Sequence, residues 1–256
     1  LSLPKPDYSL NVNSLSHEAM IALMRERTER VLLKVKPDIV VVYGDTNSTL
    51  AGALAAKKLG ILLAHVEAGL RSYNMSMSEE VNRVLTDRIS DLLFCPTQNA
   101  VKNLKKEGYN RYSCSIILSG DVMYDVAQYY AHFAKKPSFR IPKKFALVTI
   151  HRAENTDNMA RLKTIWRALN KISEEVGLVL PLHPRTRKVL AAHKIKSNFQ
   201  LVDPVGYFEM RYLLKRCSIV LTDSGGLQKE AFFFKKPCVI IRSETEWTEL
   251  VKMGFA

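Results

Sequence analysis

Short apolar runs of strand length alternate along the chain with stretches in which apolar residues recur at helical spacing. Asp38-Ile39-Val40-Val41-Val42-Tyr43 and Ile61-Leu62-Leu63-Ala64-His65-Val66 read as buried strands. Between them, Thr46 to Lys58 is rich in Ala and Leu and predicts a helix stopped by Gly60. A long amphipathic helix is predicted from Ser16 to Lys34, and another from Glu79 to Ile89. Strands follow at Leu92–Cys95 and Ile116–Leu118, separated by a helix that Thr97 caps and that ends near Gly108. From Gln128 to Lys144 the chain turns aromatic, basic and Pro-containing, which predicts a junction between domains 1–128 and 129–256. Beyond it the alternation resumes. Strands are expected at 145–150, 178–182, 219–222 and 238–241, and helices at 157–174, 185–193, 207–216 and 227–234. Phe232-Phe233-Phe234 is expected in the core.

Repeated β-α order with apolar strands implies parallel sheets covered on both faces. The fold class expected is therefore α/β, with two such sheets facing a central cleft. In sheets of this kind ligands bind beyond the carboxyl ends of the strands.

Composition narrows the picture by exclusion. With 47% apolar and 25% charged residues the chain is not disordered or fibrous. No uncharged apolar run approaches the roughly 20 residues that span a bilayer, so no membrane partner is expected. Leu1-Ser2-Leu3-Pro4-Lys5-Pro6 has no signal-peptide core. The four cysteines lie far apart and never as Cys-x-x-Cys, which suits a reducing, cytoplasmic setting, with Cys95, Cys217 and Cys238 as small core residues.

The net charge of +13 is uneven: residues 1–128 hold 15 basic and 14 acidic residues, and residues 129–256 hold 23 and 11. That excess fits a partner that carries phosphates, although on charge alone a soluble, Lys-rich surface is the preferred reading. The basic residues of the second half are scattered in pairs, with no long run interleaved with aromatics, so a nucleic acid is not the expected partner.

Polar residues crowd where the strand-end rule puts a ligand. Gly44-Asp45-Thr46-Asn47-Ser48, Glu67-Ala68-Gly69-Leu70-Arg71, His151-Arg152-Ala153-Glu154-Asn155, His183-Pro184-Arg185 and Thr222-Asp223-Ser224-Gly225-Gly226 each follow a predicted strand. The Ser-Gly-Gly turn admits close backbone approach, and the free N–H groups of the helix it opens favour an anion. Neither a Gly-x-Gly-x-x-Gly nor a Walker pattern is present, which argues against a dinucleotide and an NTPase. Asp45 and Glu67 end successive strands and should lie side by side, and Glu79-Glu80 opens a helix with Arg83 one turn on. Grouped carboxylates push each other's pKa apart and can yield one acid and one base. Glu80 is better explained by its favourable place at a helix N-terminus. His151 is a candidate general acid/base or phosphate donor.

Taken together, these motifs resemble the non-hydrolysing UDP-N-acetylglucosamine 2-epimerases. The stretches that carry the resemblance are Tyr43-Gly44-Asp45-Thr46, His65 to Arg71, Glu79-Glu80-Val81-Asn82-Arg83, His151 to Asn155 and Thr222 to Gly226, in family order. The resemblance implies a glycosyltransferase-B type fold of two Rossmann-like domains. It also implies reversible inversion at carbon 2 of UDP-GlcNAc through elimination and re-addition of UDP. No metal or nicotinamide cofactor is implied, and family members are commonly dimers, so a homodimer is expected.

Carried over by position, Asp45, Glu67 and Glu79 become the acid/base carboxylates, any of which can be the base. His151 assists proton transfer or meets the pyrophosphate. Arg83 orients the carboxylates or the leaving group. Ser224, Gly225 and Gly226 hold phosphates, Glu230 binds the ribose, and the stretch from Val205 to Met210 lines the uracil slot. Arg152 and His183 complete the substrate-binding set.

Relative to the family pattern, the chain begins after the first strand with its Gly-rich loop and stops before the terminal helices. Ser78 stands where a Pro usually precedes the Glu pair. The short Arg71-Ser72-Tyr73-Asn74 loop and Glu246-Trp247 resemble a branch that acts on diacetamido-uronic acid sugars. A UDP-sugar glycosyltransferase of the same fold is the other enzyme reading, and a relative that releases free sugar is a third.

Overall fold

The computed structural model describes residues 4–13 and 15–255. Leu1-Ser2-Leu3, part of the opening stretch searched for a signal core, lies outside the described residues. The chain forms two compact units, Leu1–Val122 and Met123–Ala256.

The first unit runs α1 (His17–Val35), β1 (Ile39–Tyr43), α2 (Asn47–Lys58), β2 (Leu62–Val66), α3 (Ser78–Ile89), β3 (Leu92–Cys95), α4 (Gln98–Lys106) and β4 (Ser115–Leu118). Helix α5 (Val122–Tyr129) leads into the second unit. There follow β5 (Phe145–Thr149), α6 (Ala153–Thr156), α7 (Met159–Ile172), β6 (Gly177–Pro181), α8 (Pro184–Ala192), β7 (Gln200–Val202), α9 (Tyr207–Arg216), β8 (Ile219–Thr222), α10 (Gly225–Phe233), β9 (Cys238–Ile240) and α11 (Thr248–Lys252). Capping residues set the helix starts. Ser16, Thr46, Thr97 and Ser224 each accept a hydrogen bond from a backbone N–H in the first turn of the helix they precede.

Both sheets are parallel throughout. The first has the sequential order β1-β2-β3-β4, and the second has the order β7-β6-β5-β8-β9. The second therefore reverses direction between β5 and β8. Strand β5 is buried on both faces, as expected for such a sheet. Phe145 and Leu147 pack with Leu213, Leu214 and Leu227 from α9 and α10, while Ala146 and Val148 pack with Leu162, Trp166 and Leu169 of α7.

The structure departs from the sequence reading in several places. Strand β1 is not covered on both faces. Val42 packs with Ala53, Ala55 and Ala56 of α2, but Ile39, Val41 and Tyr43 point the other way and are exposed. Among the described residues nothing buries that row. The division between units precedes the Gln128 boundary, because α5 belongs with the second unit. Arg211 of α9 donates to the carbonyl of Ala127, and Tyr124 meets Phe233 edge to face at 5.1 Å. The helix expected over 157–174 is α7, started by Asn158, whose side chain accepts from the N–H of Arg161, and the short α6 that precedes it was not expected. Phe232, Phe233 and Phe234 are half-buried, and of the three Phe234 packs against the core around Leu213 and Leu227. The short elements β7 and α11 were not expected. Cys95, Cys217 and Cys238 are buried, in line with the sequence reading.

Candidate active site

In the first unit, the register Tyr43 to Val66 puts the ends of β1 and β2 side by side. The N–H of Gly44 donates to the carbonyl of Val66 at 3.0 Å, so Gly44-Asp45 and Glu67 leave the sheet together. A side chain grown on Gly44 would come within 3.7 Å of Glu67 Oε2, which places that carboxylate against the Gly44-Asp45 turn. Glu67 itself has φ +77°, in the left-handed region. A non-glycine residue there costs about 1–3 kcal/mol and persists only where surrounding contacts enforce it. The enforcing contacts are the N–H groups of Glu67 and Ala68, which both donate to the carbonyl of Phe94, at 3.1 and 3.0 Å.

Asp45 is held from α3. Arg83 donates to Asp45 Oδ2 through Nε, at 3.2 Å, and through Nη2, while Asn82 donates to the Asp45 carbonyl at 2.9 Å. The other end of the guanidinium donates to Glu80 Oε2 at 2.6 Å. Glu80 stands in the first turn of α3, as expected, but its contacts go beyond the helix start. It is buried, and it accepts from the N–H and hydroxyl of Ser72, both at 3.0 Å, and from the N–H of Tyr73 at 2.9 Å, which fixes the loop leading into α3. Glu79, half-buried beside it, accepts from the Ser78 hydroxyl at 3.1 Å. Arg83 thus bridges Asp45 and Glu80.

In the second unit, the loops after β5 and β8 meet where the strand order reverses, the position at which open α/β sheets bind ligands. A cavity of about 380 Å³ lies there. His151, His183, Val205, Met210, Ser224, Gly226 and Glu230, all singled out from sequence, line it, together with Tyr207 and the side chain of Met123. Gly225 and Arg152, also singled out, do not. Gly225 is buried against Glu246, and a Cβ there would overlap Glu246 Oε1. The N–H of Arg152 instead donates to Asp223 at 2.9 Å.

Asp223, inside the Thr222–Gly226 turn, has no role assigned from the sequence, where Ser224 takes the cap position. It is fully buried, and its carboxylate accepts from the N–H of His151 at 2.9 Å and from Asn155 Nδ2 at 3.0 Å. His151 Nδ1 stands 3.2 Å from Asp223 Oδ1. Burial alone would raise this carboxyl, but the hydrogen bonds of His151, Asn155 and Arg152 outweigh it and hold it below the ordinary range. The pairing commits Nδ1 to Asp223 and leaves Nε2 as the free nitrogen of the ring.

Glu230 has the opposite balance. Burial pushes its carboxyl up, only partly offset by Arg211, whose Nη1 lies 3.5 Å away, and by the Tyr207 hydroxyl. Arg211 is itself fully buried and donates to the Tyr207 hydroxyl at 2.6 Å. Burial also pushes the thiols of Cys95 and Cys238 up to about 12, so neither is a nucleophile at neutral pH. Among the described residues, no cluster of three or more His, Cys, Asp or Glu side chains is arranged to hold a metal ion.

The family model for UDP-N-acetylglucosamine 2-epimerase matches residues 1–256. The chain belongs to the UDP-N-acetylglucosamine 2-epimerase family. Within this family it is 56% identical over 256 residues to a UDP-2,3-diacetamido-2,3-dideoxy-D-glucuronate 2-epimerase of Pseudomonas aeruginosa, covering 99% of this chain and 72% of the relative. The crystal structure of Methanocaldococcus jannaschii UDP-GlcNAc 2-epimerase in complex with UDP-GlcNAc and UDP superposes with a TM-score of 0.89 at 44% identity, covering 98% of this chain and 72% of that one. A trehalose-6-phosphate synthase, 9% identical, superposes with a TM-score of 0.55 over 93% of this chain and 66% of its own, a likeness of fold alone. The epimerase family thus shares the two-domain architecture of such glycosyltransferases. No helix among the described residues is long and apolar enough to cross a membrane.

Proposed function

We propose that this chain inverts carbon 2 of a UDP-linked 2-acetamido sugar, as in the interconversion of UDP-GlcNAc and UDP-ManNAc. The observation that carries the reading is the placement of Asp45 and a strained Glu67 just past adjacent strand ends, in a chain matched over its whole length by the epimerase family.

The proton on carbon 2 has no carbonyl beside it, so direct abstraction and return is disfavoured. In the elimination route a carboxylate takes that proton as the bond from carbon 1 to the UDP oxygen breaks. A 2-acetamidoglucal and UDP result. UDP then adds back at carbon 1, and a carboxylic acid delivers the proton to the opposite face of carbon 2. Asp45, Glu67 and Glu79 are the proton carriers in this reading, with Arg83 orienting Asp45. The cavity of the second unit takes the nucleotide: the start of α10 at Ser224 and Gly226 meets the pyrophosphate, Glu230 the ribose, and Val205 and Met210 the base. His151 Nε2, with Nδ1 committed to Asp223, serves the departing phosphate oxygen.

A second reading concerns the sugar. Identity to the diacetamido-glucuronate epimerase, 56%, exceeds the 44% to the Methanocaldococcus jannaschii UDP-GlcNAc enzyme, which favours UDP-2,3-diacetamido-2,3-dideoxy-glucuronate as the better substrate. The excess positive charge of the second half is assigned to the nucleotide pocket and not to a nucleic acid. The four free cysteines support a reducing, cytoplasmic setting, and a homodimer is proposed.

Incubation with each UDP-sugar in heavy water tests the reading. Deuterium at carbon 2 of both epimers is expected, with the higher kcat/KM for the diacetamido-glucuronate. Sugar transfer or free sugar without exchange at carbon 2 would replace epimerisation by the glycosyltransferase or hydrolase alternative.

A further inference from the structure

Beneath the turns that carry Asp45 and Glu67 lies a buried ionic chain with its own logic. His65, the residue two before Glu67, is fully buried. Its Nδ1 lies 2.7 Å from Asp87 Oδ1, and its Nε2 lies 2.8 Å from the carbonyl oxygen of Gly44, the residue before Asp45. The second oxygen of Asp87 accepts from the N–H of Gly69, at 3.0 Å, and from Arg71 Nη1, at 2.7 Å. The rest of the Arg71 guanidinium donates to both oxygens of Glu107, at 2.7 and 2.8 Å.

A carbonyl oxygen can only accept, and Asp87 already accepts two bonds on its other oxygen. Both ring nitrogens of His65 therefore face acceptors. A neutral imidazole has one N–H and would leave a lone pair against an oxygen lone pair where both side chains are fully buried, a costly arrangement. With two protons on the ring, the charges of His65, Arg71, Asp87 and Glu107 balance and each bond has a donor.

We infer that His65 is held as an imidazolium and that the His65–Asp87 pair is a positioning device, clamping the carbonyl that precedes Asp45 and the amide of Gly69 that follows Glu67. One ion pair thereby fixes both carboxylate-bearing turns from below and supports the left-handed backbone of Glu67. The role in turnover rests on the proposed epimerase activity; the charge state of the ring does not.

The titratable groups that feel Asp87 include Cys95 of β3 and Tyr109 after α4, each also feeling Arg71, with Glu107 and Arg88 acting on Tyr109 as well, and the Cys114 thiol, which burial also raises. Burial keeps those thiols and that phenol protonated at neutral pH, so none competes for the His65 proton.

The first test is an NMR correlation of the histidine ring nitrogens, in protein carrying His151→Asn to remove the other imidazole paired with a carboxylate. At pH 8.5, where an ordinary imidazole is neutral, one ring with both nitrogens protonated is expected. A spectrum with no such ring overturns the inference.

The second test is kinetic. His65→Gln and Asp87→Asn are each expected to lower kcat at least tenfold, with KM and the Kd for UDP within threefold. Asp87→Asn should also make kcat fall with rising pH, because the imidazole loses its counter-ion and gives up its proton. Unchanged kcat in either folded variant, or a loss of kcat matched by the loss of folded protein, overturns the positioning role. If neither variant folds, the ring spectrum decides. If the unsubstituted protein exchanges no deuterium at carbon 2, the epimerase reading has failed, while the same spectrum still decides the protonation of His65.

Discussion

In the first unit the candidate groups are side chains tied to side chains: Asp45 to Arg83, Arg83 to Glu80, and Glu80 to the Ser72-Tyr73 loop. In the second unit they surround a cavity and are placed mainly by backbone, through the start of α10 and through the N–H groups of His151 and Arg152 that meet Asp223. The first arrangement fixes where charged oxygens stand, which proton transfer requires. The second leaves N–H groups and space, which an anionic ligand requires. The sheets show the same division. The first is in sequential order, whereas the second reverses between β5 and β8 and so opens a crevice at its own strand ends.

The largest effects should come from the first unit. Asp45→Asn, Glu67→Gln and Glu79→Gln are each expected to reduce kcat by about 10²–10⁴-fold, the span of general acid–base contributions. The affinity for UDP, measured by calorimetry, should change by less than about threefold in each. If all three variants kept full turnover, the comparison would fail and the chemistry would have to lie in the second unit.

Asp223→Asn ranks next, and it acts on the contact between a buried carboxylate and His151 at the cavity of the second unit. It removes the negative charge beside His151 Nδ1 while preserving shape. A loss of kcat of about 10–100-fold is expected, smaller than for the carboxylates that carry the proton. A KM effect without a kcat effect would make His151 a binding group only.

Much of this arrangement was legible before any coordinates. The strand-end loops stood out because buried parallel strands are continuous apolar runs, and polar residues crowding at their ends have little other use. The proximity of Asp45 to Glu67 followed from successive strands lying side by side. What stayed hidden depends on tertiary contacts. Glu80 and Asp223 carry residue types that suit helix starts, so their burial and their partners, Ser72 and His151, could not be read from spacing. The link from Arg71 to Glu107 joins residues far apart in sequence. The left-handed backbone of Glu67 has no signal in residue type, since glycine would be the usual choice there. Helix α5 was obscured because it packs on α10 through one aromatic ring, that of Tyr124, rather than through a regular apolar stripe of its own, and β7 is too short for its period to register.

The two glycines at the start of α10 separate fold from ligand within the second unit. A methyl group on Gly225 would overlap Glu246 Oε1, and Glu246 is held by Arg242 at 3.2 Å. Gly225→Ala should therefore cost about 1–3 kcal/mol of stability. A methyl group on Gly226 meets only Met123 Cε at 3.6 Å, an ordinary contact, while it projects at a wall of the cavity. Gly226→Ala should leave Tm unchanged or raise it, because Ala favours helix over Gly by up to about 1 kcal/mol. It should still weaken UDP about tenfold, equivalent to about 1.4 kcal/mol. Equal losses of stability in both variants would show that this turn serves packing alone.

The smallest effects should be in stability against pH, where two carboxyls of the second unit pull in opposite directions. Asp223 has its folded-state pKa lowered from 3.8, so the unfolded chain binds its proton more readily. Its stabilisation is complete above 3.8 and is lost as pH falls through the lower folded value. Glu230 has its folded-state pKa raised from 4.5, because burial penalises the anion more than Arg211 repays it. Its contribution is complete below 4.5 and is lost as pH rises through the higher folded value. Urea unfolding from pH 3 to pH 7 should therefore show Asp223→Asn flattening the acid side, and Glu230→Gln flattening a loss that begins near 4.5. Glu230→Gln should bind UDP more weakly even as it gains stability above pH 6, the pattern of a carboxylate kept buried for its ligand. A variant that loses stability at every pH would instead make Glu230 a structural partner of Arg211.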